Sequence, residues 1–159
     1  MIREILLLGD ERLYQPSAPI TQSELPSLAP VICDLHDTLL DFRRVYGAGR
    51  AIAAPQIGFL KRMIYLFIDS PTVFINPRLE FSDNEMMEVL DDCMSFPKLY
   101  VRLMRRKRCT IHFYDTDWTP RQMQLEGDLS ELLQHEYDHL DGILATMRAA
   151  DTRALVMKR

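Results

Sequence analysis

The chain has 159 residues, of which 47% are hydrophobic and 26% charged, a composition typical of a globular domain that buries a core. Its net charge of -4 disfavours a nucleic-acid-binding surface, so no direct binding to nucleic acid is expected. No apolar run reaches the roughly 18 residues of a membrane-spanning helix, and three unevenly spaced cysteines do not form a disulfide framework. These properties predict a single domain over residues 1–159, located in the cytoplasm without a membrane partner.

The first predicted helix follows an irregular arm formed by residues 1–20. Thr21 and Glu24 have the spacing of a capping box before it, and Gly47 is a typical helix terminator after it. Between them, apolar residues recur at steps of three and four, which predicts a long amphipathic helix. These residues are Leu28, Ile32, Leu35, Leu39, Phe42 and Tyr46.

A stretch rich in small residues follows, from Gly47 to Gly58. Pro55 prevents a continuous helix there. Small side chains let a backbone approach a ligand closely, and the Gln56 amide could donate hydrogen bonds to one. A tightly packed turn explains the same composition equally well, so this stretch alone does not define a site.

Apolar, β-prone segments occupy the middle of the chain, at 63–68, 73–75 and 109–114. Asn76-Pro77 and the segment 117–120 are interpreted as turns. Because the strands do not alternate regularly with helices, the pattern favours an α+β fold over a doubly wound sheet.

The sequence His-Glu-x-x-His lies near the carboxyl end, at His135, Glu136 and His139. On a helix this spacing places both imidazoles on one face, where they can bind the same metal ion. Glu136 would then lie beside a metal-bound water and could accept its proton. A helical stripe of apolar residues supports the helix: Leu129, Leu132, Leu133, Leu140 and Ile143.

A hydrolytic metal usually takes three protein ligands and one water. No histidine or glutamate follows His139, so the third ligand is expected upstream, unless an aspartate such as Asp151 serves. Cys93 ranks first because it is the only cysteine in a polar, turn-rich tract, and a thiolate suits Fe²⁺ or Zn²⁺. The other upstream candidates are Cys33, Cys109, His36 and His112.

Three stretches resemble, in the same order, the three motifs of the peptide deformylase family. They are Ile52–Gln56, Cys93–Pro97 and Gln134–Gly142. The resemblance implies an α+β fold with antiparallel or mixed sheets around a central helix that carries the histidines. It also implies a hydrolase that removes the N-formyl group from the initiator methionine of nascent polypeptides, at the ribosome.

The resemblance assigns a role to each matching residue. One divalent ion would be held by Cys93, His135 and His139; Fe²⁺ is expected in the cell and Zn²⁺ or Ni²⁺ in preparations. Glu136 would be the general base and then the general acid. The side-chain amide of Gln56 and the backbone N–H of Met94 would stabilise the developing oxyanion.

Two motifs depart from the family pattern where the substrate is expected to bind. Ala51 replaces the second glycine of the first motif, after Gly49 and Arg50, and Asp92 replaces the glycine before Cys93. These four positions are expected to contact the substrate, and the side chains that replace glycine at 51 and 92 could obstruct or redirect the peptide. We therefore keep two alternatives open, a deformylase-like hydrolase of altered N-acyl or peptide specificity and a weakly active metal-binding relative.

Asp128 and Glu131 stand where the family is commonly apolar. Their spacing is that of a capping box for a helix that starts at Leu129. A polar wall of the substrate pocket is an equally good interpretation.

Overall fold

The computed structural model describes residues 1–159, with two α-helices and eight strands. The helices are α1, Ala29–Tyr46, and α2, Asp128–Leu140. The first four strands are β1, Ala51–Ala53; β2, Met63–Phe67; β3, Pro71–Glu80; and β4, Met86–Asp92. The last four are β5, Leu99–Arg106; β6, Arg108–Tyr114; β7, Pro120–Glu126; and β8, Leu155–Met157.

The strands form two antiparallel sheets. The larger has the order β1-β2-β3-β6-β7 and the smaller the order β4-β5-β8. The helix α2 contacts strands of both sheets, including β1 and β7 of the larger and β5 of the smaller. The predicted α+β class is confirmed. Neither α1 nor α2 combines the length and the hydrophobicity that a membrane-spanning helix requires.

The predicted amphipathic helix is α1, and its start differs from the prediction. The capping box of Thr21 and Glu24 belongs to a preceding 3-10 turn, Gln22–Ser27, where the Thr21 N–H donates to Glu24 at 2.6 Å. The chain then enters α1 with Pro30 in its first turn, a position where the missing N–H costs nothing. Gly47 ends the helix as predicted, and its N–H donates to the Arg43 carbonyl at 2.8 Å.

The predicted turn at Asn76-Pro77 is wrong, because both residues lie inside β3. The register between β3 and β6 shifts between Ile75 and Arg78, which marks a bulge. Asn76 adopts a φ of 48°, a conformation that asparagine tolerates better than most residues. Its side chain binds the backbone N–H and C=O of Ile20 at 2.8 and 2.7 Å, so the bulge anchors the amino-terminal arm.

The helix α2 begins without the predicted capping box. Gly127 is the N-cap, with no capping side chain, and the Glu131 N–H donates to the Gly127 carbonyl at 3.0 Å. Asp128 is exposed. The apolar side of α2 buries Leu133 and Leu140 against the larger sheet, which fixes the direction in which its polar residues point.

The turn after α2 packs tightly against the amino-terminal arm. Gly142 has a φ of 74°, and a Cβ on it would lie 2.5 Å from the carbonyl oxygen of Tyr14. Gly142→Ala is therefore expected to lower the free energy of unfolding by at least about 2 kcal/mol, measured by urea denaturation. Gly47→Ala is the control, since its φ of 68° is similar but nothing lies within 4 Å of the added carbon. Equal losses in the two variants would show that the Tyr14 contact is unimportant.

Candidate metal centre

The structure brings together the three residues that the sequence proposes as metal ligands. Cys93, His135 and His139 are buried, and one ligand atom from each lies within 4.8 Å of the others. The Cys93 sulfur is 3.3 Å from Nε2 of His139. The two histidines share one face of α2, and Cys93 reaches them because β4 ends one residue earlier, beside that helix.

The alternative ligand candidates lie elsewhere and contact other groups. Cys33 is exposed. Each of the other four candidates makes a hydrogen bond away from the cluster: Cys109 with the Ser130 hydroxyl at 3.5 Å, His36 with Tyr65 at 2.7 Å, His112 with Glu80 at 2.6 Å, and Asp151 with the Arg153 N–H at 2.8 Å.

The residues present fit a bound divalent ion. A thiolate and two imidazoles leave one position of a tetrahedral site open, as in catalytic zinc centres. Oε2 of Glu136 and Nδ1 of His139 are buried without a hydrogen-bond partner, which is uncommon in protein interiors. A water on the ion would give the Glu136 oxygen the partner that the protein does not supply.

The electrostatics match these assignments at His139 and Glu136; at His135, burial lowers the pKa, but the negative charges of Asp91 and Cys93 outweigh it and hold the pKa well above its usual range. Burial lowers the pKa of His139 well below its usual range, which favours the neutral form that can act as a ligand. Burial also raises the pKa of Glu136 to about 7, and the charges of Asp91 and Glu131 add to this effect. A carboxyl group with such a pKa is suited to accept and return a proton near neutral pH.

A buried ionic network supports the cluster from behind. The carboxylate of Asp91 lies 2.9 Å from Nδ1 of His135, although poorly aligned for a hydrogen bond, and 2.8 Å from Arg105. Arg105 also donates to Asp138 at 2.6 Å, and Asp138 accepts two bonds from Arg148. A carboxylate behind a ligating imidazole orients the ring and strengthens it as a donor.

Arg105 is the centre of this network. Arg105→Met is expected to lower the free energy of unfolding by about 3–5 kcal/mol, because the substitution leaves buried carboxylates unpaired. The measurement is chemical denaturation. Arg102→Met is the matched control: its ion pair with Glu88 spans 3.5 Å, the Arg102 side chain is 53% exposed, and a loss below about 1 kcal/mol is expected. Equal effects would mean that the buried network contributes no more than a surface pair.

A cavity of about 230 Å³ opens beside the metal cluster. The four residues expected from the sequence to contact substrate all line it: Gly49, Arg50, Ala51 and Asp92. Glu131 lines it as well, whereas Asp128 does not. The interpretation as a wall of the substrate pocket is therefore wrong for Asp128 and stays a prediction for Glu131.

Two ion pairs mark the polar side of the cavity. The Asp92 carboxylate pairs at 2.8 Å with Lys158, which follows β8 and was not anticipated from sequence. Glu131, whose side chain is 18% exposed, lies 3.5 Å from the guanidinium of Arg50. Burial raises the pKa of Glu131 to about 7, and the charge of Asp91 adds to this effect.

Gln56 and Met94 also border the cluster. The Gln56 side-chain oxygen accepts from the Ala53 N–H at 3.0 Å, which directs its amide nitrogen towards Ser95 at 3.1 Å and the Cys93 sulfur at 3.6 Å. Met94 lines the cavity, and its own backbone N–H makes no backbone hydrogen bond. The Met94 N–H is therefore available to an oxygen atom near the cluster, whereas the Gln56 amide would have to exchange its bond to Ser95 or Cys93 for a bond to that atom.

Comparison with known proteins gives a family match over nearly the whole chain. The family described as Polypeptide deformylase matches residues 2–154. Peptide deformylase 2 of Ralstonia nicotianae is 38% identical over 162 residues, covering 95% of this chain and 89% of that protein.

Solved structures share the fold. A peptide deformylase from Legionella pneumophila superposes with a TM-score of 0.87 at 33% identity, covering 97% of this chain and 89% of that one. The Met-Ala-Ser-bound class I type b peptide deformylase from Acinetobacter baumannii gives 0.84 at 25% identity, covering 93% and 98%. The resemblance predicted from three short motifs is confirmed over nearly the whole sequence, and the chain belongs to the polypeptide deformylase family.

Proposed function

We propose that the protein is a metal-dependent hydrolase that removes the formyl group from the amino terminus of formyl-methionyl nascent polypeptides. The observation that carries this proposal is the convergence of Cys93, His135 and His139 beside the unpartnered carboxylate of Glu136, at the wall of a cavity. We propose the cytoplasm, at the ribosome, as the place of action, because nascent chains are formed there.

The metal would be held by Cys93, His135 and His139, with Asp91 orienting His135. We propose Fe²⁺ in the cell and Zn²⁺ or Ni²⁺ in preparations, since a thiolate with two imidazoles suits such ions. When bound, the ion supplies Lewis acidity and an acidified water.

The residues of the chain carry the proton and the developing charge. Glu136 accepts a proton from the attacking water, whose oxygen bonds to the formyl carbon. The amide of Gln56 and the N–H of Met94 donate to the formyl oxygen as negative charge develops there. Glu136 then returns the proton to the nitrogen as the C–N bond breaks, which releases formate and a free amino terminus.

The peptide would bind as an additional strand. The cavity lies between β1, an edge of the larger sheet, and the end of β4, an edge of the smaller sheet. Edge strands offer unpaired backbone groups to an extended peptide. The Acinetobacter enzyme, whose solved structure is bound to Met-Ala-Ser, is consistent with an occupant of this kind.

The test is formate release by Fe²⁺-loaded protein from formyl-Met-Ala-Ser, compared with acetate release from acetyl-Met-Ala-Ser. Formate without acetate is expected, because an added methyl group has to fit among Gln56, Met94 and the cluster. Stoichiometric metal without formate release from any formyl peptide would overturn the proposed function.

A further inference from the structure

Asp92 occupies a sensitive position in the proposed site. It is the last residue of β4 and the neighbour of the proposed ligand Cys93, and its side chain, 49% exposed, lines the cavity. The family motif that this stretch resembles has a glycine at position 92. The aspartate therefore adds a charged group to the cavity wall, directly beside a proposed metal ligand.

Lys158 supplies the partner of this charge. Its ammonium lies 2.8 Å from the Asp92 carboxylate and 4.6 Å from the centre of the Tyr100 ring. Tyr100 lies opposite Asp92 in the register of β4 and β5, so both side chains project from the same face of the smaller sheet. The ammonium thus lies over β5 and holds the carboxylate in that direction.

The backbone fixes the base of the Lys158 side chain. The Lys158 N–H donates to the Lys98 carbonyl at 2.9 Å, one residue beyond the pairing of Met157 with Leu99. An ion pair costs side-chain entropy, and this cost is smaller when one member is already anchored. The anchored lysine therefore favours one defined position of the Asp92 carboxylate.

The direction of this carboxylate matters because the other edge of β4 is free. β4 pairs only with β5, and the cavity in which the peptide is proposed to bind lies at its end. An aspartate side chain has three staggered positions about its first torsion. Without Lys158 the carboxylate would also occupy positions nearer to the free edge, where its charge would repel the carbonyl oxygens of the peptide.

We infer that Lys158 is a positioning residue for substrate binding: it holds the Asp92 carboxylate towards β5 and so keeps the free edge of β4 open to the peptide. This inference rests on the proposed function, and in particular on binding of the peptide as an additional strand. It also explains how an aspartate is tolerated at position 92, since the side chain that could obstruct the peptide has a partner away from the peptide's path.

The first test compares Lys158→Met with the parent protein, both loaded with Fe²⁺, on formyl-Met-Ala-Ser. Methionine keeps most of the length of the lysine side chain and lacks its charge. We expect KM to rise about fivefold, as one partly exposed ion pair can give, while kcat and metal content stay within about twofold. The difference in KM should shrink at high ionic strength, because salt screens the pair in the parent protein.

Lys107→Met is the matched control. The Lys107 ammonium pairs with Glu85 at 3.2 Å, both side chains are partly exposed, and Lys107 does not line the cavity. Its loss removes an ion pair of the same kind without changing the position of Asp92, so KM should equal that of the parent protein.

A double-mutant cycle tests whether Lys158 acts through Asp92. Asp92→Ala removes the carboxylate that Lys158 holds, so KM should stay near the parent value. Lys158→Met should then have no further effect in the Asp92→Ala background. A direct contact of Lys158 with the peptide would instead raise KM equally in both backgrounds.

A second readout needs no turnover. Calorimetry of the reaction product Met-Ala-Ser should show weaker binding to Lys158→Met than to the parent protein, and the difference should vanish in the Asp92→Ala background. Absence of formate from formyl-Met-Ala-Ser in the parent protein would overturn the proposed function, and the calorimetry would still decide the role of Lys158. Unchanged KM in Lys158→Met, an equal rise in Asp92→Ala, or an effect of Lys158→Met that persists without the carboxylate would overturn the inference alone.

Discussion

Replacing Glu136 by glutamine is expected to lower kcat by at least about a hundredfold while the metal content stays at the wild-type level. The amide keeps the volume of the side chain but cannot accept the proton of the attacking water. Because Glu136 belongs to the metal's surroundings and not to its three ligands, the ion should be retained. The metal content per chain and the kcat for formate release are measured on the same preparation.

Glu126→Gln is the control for this variant, since Glu126 is an exposed residue of β7 and does not line the cavity. Loss of the ion together with activity in Glu136→Gln would assign Glu136 a ligand role. Activity within a few fold of wild type would mean that another group moves the proton.

Cys93→Ala should abolish stoichiometric metal binding and, with it, formate release. The thiolate is one of three proposed ligands, and two imidazoles on one helix turn cannot complete the coordination of a tetrahedral ion. Metal content per folded chain, determined after removal of free ion, is the measurement.

The other two cysteines are internal controls. Cys33→Ala changes an exposed residue of α1, and Cys109→Ala changes a buried thiol near Ser130. Both variants should keep one ion per chain, although Cys109→Ala should lose some stability from its buried position. Full metal content in Cys93→Ala would refute the ligand assignment.

The parts of the site that sequence could anticipate depend on short-range patterns. His135, Glu136 and His139 lie within one turn of a helix, so their spacing alone predicts a shared face. Cys93 could be ranked first from its polar setting, and the family motifs assigned it, but only the fold shows that β4 delivers it to the histidines. The interpretation of Asp128 and Glu131 as a capping box was wrong. The same three-residue spacing also occurs within helices, and here Gly127 is the N-cap.

Long-range contacts were beyond sequence reasoning. Arg105 belongs to a basic stretch, residues 102–108, whose composition alone indicates a solvated surface. The structure instead buries it between Asp91 and Asp138, which are 14 and 33 residues away. No sequence motif marks Lys158 as a residue of the site, since its position at the cavity follows from the pairing of β8 with β5. Both depend on which strands meet, and local periodicity does not determine that.

The separation of Cys93 from the histidines has a consequence for folding. Cys93 follows a strand of the smaller sheet, whereas His139 lies 46 residues later on a helix packed against the larger one. An ion that joins them acts as a covalent cross-link would: closing a loop of this length removes on the order of 4 kcal/mol of conformational entropy from the unfolded chain. The metal proposed for catalysis would thus also cross-link the two sheets of the domain. Its removal would lower the free energy of unfolding.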